Sequence, residues 1–294
     1  MIFLILSVLI STLFGISFKV IAVKNINGFQ AIIVNYVVAG LLGFLTTKST
    51  VTPLNVFNES FFPIAIFLGI VFISSLFVIS ETTSKQGISV AQVANRMSVV
   101  VPISIAIIFY GDGISASKII GIVLAIAAVY LVSHKETDGK KPDKLWWLFP
   151  LIIFGCSGII DSCINYAQRN LLNDLNFDAF LSTIFSTAFI FGFVVLLYQL
   201  IIKKEKFQWQ AIPAGIILGA INFGTMYFII SALNANIMEP SVLFPINNLS
   251  ILTISTVVSV IVFKEKLSIK NWVGIGLSLL AILILGLLPQ LMNS

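Results

Sequence analysis

Arg96 is the residue that most needs a chemical reason. It stands in the run Ile88–Tyr110, ISVAQVANRMSVVVPISIAIIFY, which is otherwise apolar enough to cross a bilayer. At about 1.5 Å rise per residue it lies roughly 12 Å into that helix. A guanidinium at such depth costs about 2.5–3.5 kcal/mol on insertion scales, so something polar and internal must compensate it. Its planar fork suits bidentate binding of a carboxylate or a phosphate. Lys19, inside the first apolar run, is the second cation that could hold an anionic group, although a lysine near a helix end can also snorkel. Asp161 is the carboxylate placed to titrate. Moving it between a desolvated setting and one beside an arginine would load and release a proton. The alternative to holding an anionic group is that Arg96 and Lys19 pair with Asp161 and Glu81.

The polar residues around these charges fall at helical spacing. Ser157, Asp161, Asn165 and Gln168 recur at steps of four, four and three, which puts them on one helical face. Ser7, Ser11, Gly15 and Lys19 make a fainter stripe of the same kind, and Ser89, Gln92, Asn95 and Arg96 share a face. Further buried polar candidates are Asn247 and Asn248, Asn35 and Tyr36, and Asn222 and Tyr227, with Glu239 at the start of a run. Together they predict a polar cavity inside an apolar protein. The competing reading is a network that only fixes helix packing.

Several chemistries are excluded or disfavoured. A metal centre lacks ligands, because the only histidine is His134, at a helix end. Cys156 and Cys163 lie seven residues apart in one predicted helix, about 10 Å along its axis, too far for a disulfide. There is no GxxxxGK[ST] loop to bind ATP, and no H-x-x-x-H or D-x-x-D pair of the kind a membrane enzyme would use. No cofactor and no nucleic acid are expected. The net charge of +5 comes from lysines in loops, where it faces anionic lipid and the cytoplasm.

The elements that must position these residues are membrane helices. Of 294 residues 58% are hydrophobic and 10% charged, and the mean hydropathy is +1.07. Ten spans are predicted, at Ile2–Val23, Phe29–Thr47, Phe62–Thr83, Ile88–Tyr110, Ser117–Ser133, Leu148–Arg169, Phe177–Ile202, Ala211–Leu233, Pro240–Phe263 and Asn271–Leu288. Trp146, Trp147, Trp209 and Trp272 fall at span starts, where an indole reaches the interface. Met1 leads into apolar sequence with no basic region before it, so no cleavable signal peptide is expected.

The loop Lys135–Lys144 divides the chain, and the two sides echo each other. A shift of 153 positions aligns Ile88–Val132 with Ser241–Leu285 without a gap. Asn95 then falls on Asn248, Arg96 on Leu249, Asp112 on Glu265, and Gly121 on Gly274. Earlier in each side the shift is about 146–148, with Ser11 on Ser157 and Lys19 on Asn165. The expected fold is therefore an all-α integral membrane protein of ten transmembrane helices in two five-helix repeats, 1–134 and 145–290, joined by 135–144. An odd span count inverts the second repeat, and inverted repeats of this kind place a substrate at their interface near the midplane.

Pro102, the loop FYGDGIS and Gly121, followed by a second copy in VFKEKLS and Gly274, resemble the EamA branch of the drug/metabolite transporter superfamily. The resemblance covers about residues 2–288. Members usually carry a glutamate in this loop; Glu265 fits, and Asp112 is shorter by one methylene. Pro102 has Ser255 at its aligned position, so any kink there is not shared by the two halves. The resemblance implies a plasma-membrane transporter of small polar or amphipathic molecules, with export favoured. It does not select among amino acids, sugars, nucleotide derivatives and drugs.

The expected activity is secondary transport by alternating access. Its partners are a small-molecule substrate, membrane lipid and protons as the coupling-ion candidate. The alternatives are a flippase for a lipid-linked substrate and a non-transporting scaffold or sensor. With loops assigned alternately to two faces, the face holding both termini carries three Lys or Arg and the other carries twelve. The positive-inside rule then places both termini outside the cell.

Overall fold

The computed structural model describes residues 1–46, 55–109, 115–133, 147–172, 176–235, 238 and 240–286. Tyr110, Asp112, His134, the 135–144 linker, Trp146 and Glu239 lie outside them. Among the described residues all regular structure is helical: α1 (Ile2–Val23), α2 (Gly28–Thr46), a 3-10 turn (Val56–Asn58), α3 (Phe62–Lys85), α4 (Ile88–Met97), α5 (Val100–Phe109), α6 (Ala116–Val132), α7 (Leu148–Asn170), α8 (Phe177–Ile201), α9 (Ala211–Asn234), α10 (Pro240–Ile261) and α11 (Ile269–Gly286). Taking α4 and α5 as one span, nine of these are long and apolar enough to cross a membrane, and α6 is a tenth, shorter apolar helix. Ile119, Ile120, Val123, Ile126 and Tyr130 of α6 are exposed, as are Ile190, Phe191, Phe193, Val194 and Leu197 of α8. Long helices that turn their apolar faces outward make this a multi-pass membrane protein.

The spans follow the apolar runs to within a residue or two, with one difference of substance. The predicted fourth span is two helices, α4 and α5, interrupted at Ser98–Val99. Pro102 accounts for the break. It has no N–H to return to Ser98, four residues back, and its ring crowds that carbonyl. The freed Ser98 carbonyl accepts instead from Val101 N–H at 2.9 Å, a tighter 3-10-type bond. Pro102 then sits in the first turn of α5, where a missing N–H costs nothing.

Among the described residues a small apolar core around Leu4, Ala232 and Leu243 and two larger ones hold the bundle. One gathers Phe18, Tyr36, Phe61, Leu68, Ile153, Phe180, Ile184 and Leu218, and so unites α1–α3 with α7–α9. The other gathers Val93, Met97, Val100, Ala128, Leu252, Ile275 and Ala281 from α4–α6, α10 and α11. Each core draws on both sides of the chain. Gly121 and Gly274 serve the α6–α11 contact: a Cβ on Gly121 would meet Leu285, and one on Gly274 would stand 3.0 Å from the Ala128 carbonyl.

Cross-helix hydrogen bonds fix the register. Ser157 bonds Asn95 and Ser98 bonds Asp161, so α4 and α7 run parallel. Ser89 bonds Ser259 and Arg96 bonds Asn248, so α4 and α10 run antiparallel. Ser7 bonds Asn247 and Lys19 pairs with Glu265, so α1 follows α10 in the same direction.

Candidate functional site

The break in the fourth span creates the site. Because α4 ends at Met97, Arg96 occupies its last turn, where unpaired carbonyls give the helix end a partial negative charge. A cation there recovers part of the cost of its depth. The guanidinium reaches across to α10, and its Nη1 donates to Asn248 Oδ1 at 2.9 Å. Its Nε is buried and has no partner among the described residues. One strong donor is therefore left for a further acceptor.

Asp161 comes from α7, on the other side of the break. Ser98, in the interruption itself, donates to the Asn95 carbonyl at 2.6 Å and has a second, long contact of 3.4 Å to Asp161 Oδ2. One turn back on α7, Ser157 donates to Asn95 Oδ1 at 2.7 Å. Asp161 interacts electrostatically with Arg96, yet among the described residues no ion pair within 4.0 Å joins them. Asp161 lies deep among the helices and is still exposed, as are Asn165 and Gln168 on the same stripe. Asp161 is thus exposed and Arg96 half-buried, and the two opposite charges do not cancel in a closed pair.

The structure brings Arg96, Asn95, Asn248 and Asp161 together, with Ser98 and Ser157. Gln92 lies on the same helix face, buried against Gly15 of α1, with its Oε1 unpartnered among the described residues. Asn165 extends the α7 stripe away from α4's start. Asn247 turns toward α1 and accepts from the Ser7 hydroxyl at 3.1 Å. Asn35 meets Asn222 at 3.1 Å between α2 and α9. Tyr36 is buried against Phe185, with its hydroxyl unpartnered among the described residues. These last three are not part of the Arg96 cluster.

Two expected pairings are corrected. Lys19 is bonded to Glu265 at 2.9 Å, not to Asp161 or Glu81. Glu81 pairs with Lys85 at 2.6 Å, one turn along its own helix. The reason is reach. Both residues stand near helix ends, where a loop residue or an i,i+4 neighbour is closer than the mid-span charges.

Sequence reasoning missed Ser98. Its signal was present, since Pro102 four residues later frees the Ser98 carbonyl and breaks the helix. It also missed a groove of about 790 Å³ between α2, α3, α8 and the 3-10 turn, lined by Tyr36, Phe57, Ser182, Ser186 and other mostly apolar residues. No sequence period links those elements.

No family model matches the chain. An uncharacterized protein of Haemophilus influenzae is 29% identical over 293 residues, covering 98% of each chain. A protein of known crystal structure superposes on 100% of this chain and 98% of its own with a TM-score of 0.61, at 13% identity. The second likeness is one of fold alone.

Proposed function

We propose that this protein is a secondary active transporter, not an enzyme, which moves a small polar or amphipathic metabolite across the plasma membrane by alternating access. The reading takes the chain as two inverted five-helix repeats of the EamA type. The helix packing supports it. The register bonds pair α1 with α10 and α4 with α7, which are equivalent contacts if the halves exchange, while α4–α10 and α6–α11 each join a helix to its own counterpart. Interrupted helices whose ends point at a mid-membrane site are the usual means of holding substrate and coupling ions in such folds.

The observation that carries the proposal is the unpaired Arg96 Nε beside an exposed Asp161 at the α4–α5 break. Arg96, Asn248 and Asn95 bind the polar end of the substrate, the guanidinium taking a carboxylate or phosphate. Asp161 carries the coupling proton. The basic loops face the cytoplasm, and both termini lie outside.

A thermal-shift screen of the purified protein against metabolites tests this reading. A ligand at 100 times its Kd adds about 2.7 kcal/mol to the native state. Arg96→Gln is expected to weaken binding of carboxylated or phosphorylated hits and to spare neutral ones. Equal loss for both would reduce Arg96 to a packing residue. The α2–α3–α8 groove favours a second reading, a flippase for a lipid-linked substrate, because exposed Leu41, Phe44 and Phe57 border it. Stabilisation by lipid-linked substrates and not by water-soluble ones would select that reading.

A further inference from the structure

The bundle is tied at one end. At the tied end Lys19 of α1 and Glu265, after α10, form their ion pair with only 16% and 9% of their side chains exposed. Glu265 is aimed by the turn that ends α10. Lys264 adopts a left-handed φ of 51°, and Glu265 N–H returns to the Ser259 carbonyl at 3.0 Å. The Glu265 carboxylate then accepts from Ile88 N–H, with 3.1 and 3.2 Å to its two oxygens, and so caps the N-terminus of α4. A carboxylate is favoured there by the unpaired N–H groups and the helix dipole. Gly87 makes the approach possible. Its φ is +110°, and a Cβ would stand 2.6 Å from Glu265 Oε2. Lys19 also donates to the Thr83 carbonyl at the end of α3, at 3.4 Å. Just inside, the Ser89 and Ser259 hydroxyls meet at 2.7 Å.

Burial follows the same axis. Ser89 and Gln92, next to the tie, are buried, Asn95 and Arg96 are half-buried, and Asp161, Asn165 and Gln168 are exposed. Since α4 and α7 run parallel, the exposed end of the α7 stripe points away from the tie. Among the described residues, exposure therefore rises from the tie through the Arg96 level and along the α7 stripe. The sequence equivalent of Lys19 at that end is Asn165, an amide that cannot form the same ion pair.

We propose that Lys19, Glu265 and the N-terminus of α4 form a closed gate at this end of the bundle. The proposal rests on the transport reading. Substrate passage requires α10's end to leave α4 and α1 together, because one carboxylate holds both. Arg96 lies about 12 Å along α4 from the capped N–H, so the helix that carries the gate also carries the site.

Solvent access measures this without any substrate. In a background with Cys156→Ala and Cys163→Ala, a reporter at Gln92→Cys or Asn165→Cys is labelled with a membrane-impermeant maleimide in right-side-out and inside-out vesicles. Asn165→Cys is expected to react from one face, and Gln92→Cys slowly from either. Adding Lys19→Gln or Glu265→Gln should raise Gln92→Cys labelling about tenfold or more from the face opposite to that of Asn165→Cys, since removing one member of a buried pair strands the other. Lys19→Arg should leave it slow. Unchanged labelling in both neutral variants overturns the gate. Should both variants lose the one-sided Asn165→Cys pattern through misfolding, Glu265→Asp decides: it shortens the tie by one methylene and must open the same face, and no change there overturns the gate. A protein that carries no substrate would still show this shift in access, so the gate and the transport reading fail separately.

Discussion

The fourth span of each half contains a proline, and only one of the two is broken. In the first half Pro102 ends α4 and starts α5. In the second half Pro245 lies inside a continuous α10, and its ring packs on Gly286 at the end of α11, where no Cβ would fit. The positions are not equivalent, for Pro245 aligns with Gln92 and Pro102 with Ser255. A proline near the beginning of a helix costs one hydrogen bond, whereas one in mid-span separates two helices and exposes both their ends. The first half thereby gains two dipole ends deep in the protein and can hold a guanidinium there. The α10 helix keeps its backbone paired and offers the amide of Asn248. Of these two helices α4 supplies the cation and α10 a neutral acceptor, while the opposite charge, Asp161, comes from α7.

The sharpest way to break this comparison is to remove the charge that answers Arg96. Asp161→Asn is expected to abolish pH-driven accumulation in proteoliposomes while leaving expression and counterflow exchange intact; unaltered proton-driven uptake would dismiss Asp161 as the coupling group. Next in size is moving the cation to the other half. Arg96→Leu with Leu249→Arg conserves composition and puts the guanidinium on the unbroken helix. Without a helix end beside it the arginine lacks compensation, so binding of anionic ligands should fall about 100-fold or more and the protein should melt earlier. Restored binding would show that the break is irrelevant to the charge.

Smaller again is Pro102→Ala. It permits α4 and α5 to join, and hydrogen exchange at the residue 102 amide should show protection typical of a helix interior. Binding of anionic ligands should drop by about tenfold as the dipole ends disappear, a change of about 1.4 kcal/mol. Pro245→Ala, by contrast, should leave binding unaltered. The smallest effect belongs to Ser157→Ala, which leaves Asn95 Oδ1 without its donor and is expected to cost about 1 kcal/mol of stability by thermal melting.

Much of the fold was legible because membrane spans are written locally. Roughly 20 apolar residues with polar breaks define a helix whatever surrounds it. The candidate site was legible in part. Arg96, Asn95, Asn248 and Asp161 stood out because a polar side chain deep in an apolar run needs a partner, and the helical period told which of them share a face. Partner choice was not legible. Lys19 could equally have answered Asp161, and only the meeting of α1 with the turn after α10 assigns it to Glu265. Tyr36 and Asn35 carry the same sequence signal as Asn95, yet they lie with α8 and α9, away from Arg96. A buried polar residue announces that it has neighbours and not which ones.

The sequence alone determined that this protein lives in a membrane, which stretches form its apolar helices, and that one helix carries a charge needing compensation. Hydrophobicity and period are properties of consecutive residues, and a bilayer enforces them one span at a time. Tertiary structure alone decided that Arg96 leans on Asn248 and leaves its Nε without a partner among the described residues, that Asp161 is exposed, and that Glu265 binds α1 and α4 at once. Those outcomes depend on which helix ends arrive at the same depth from distant parts of the chain. Packing between helices sets that meeting, and no local pattern records it.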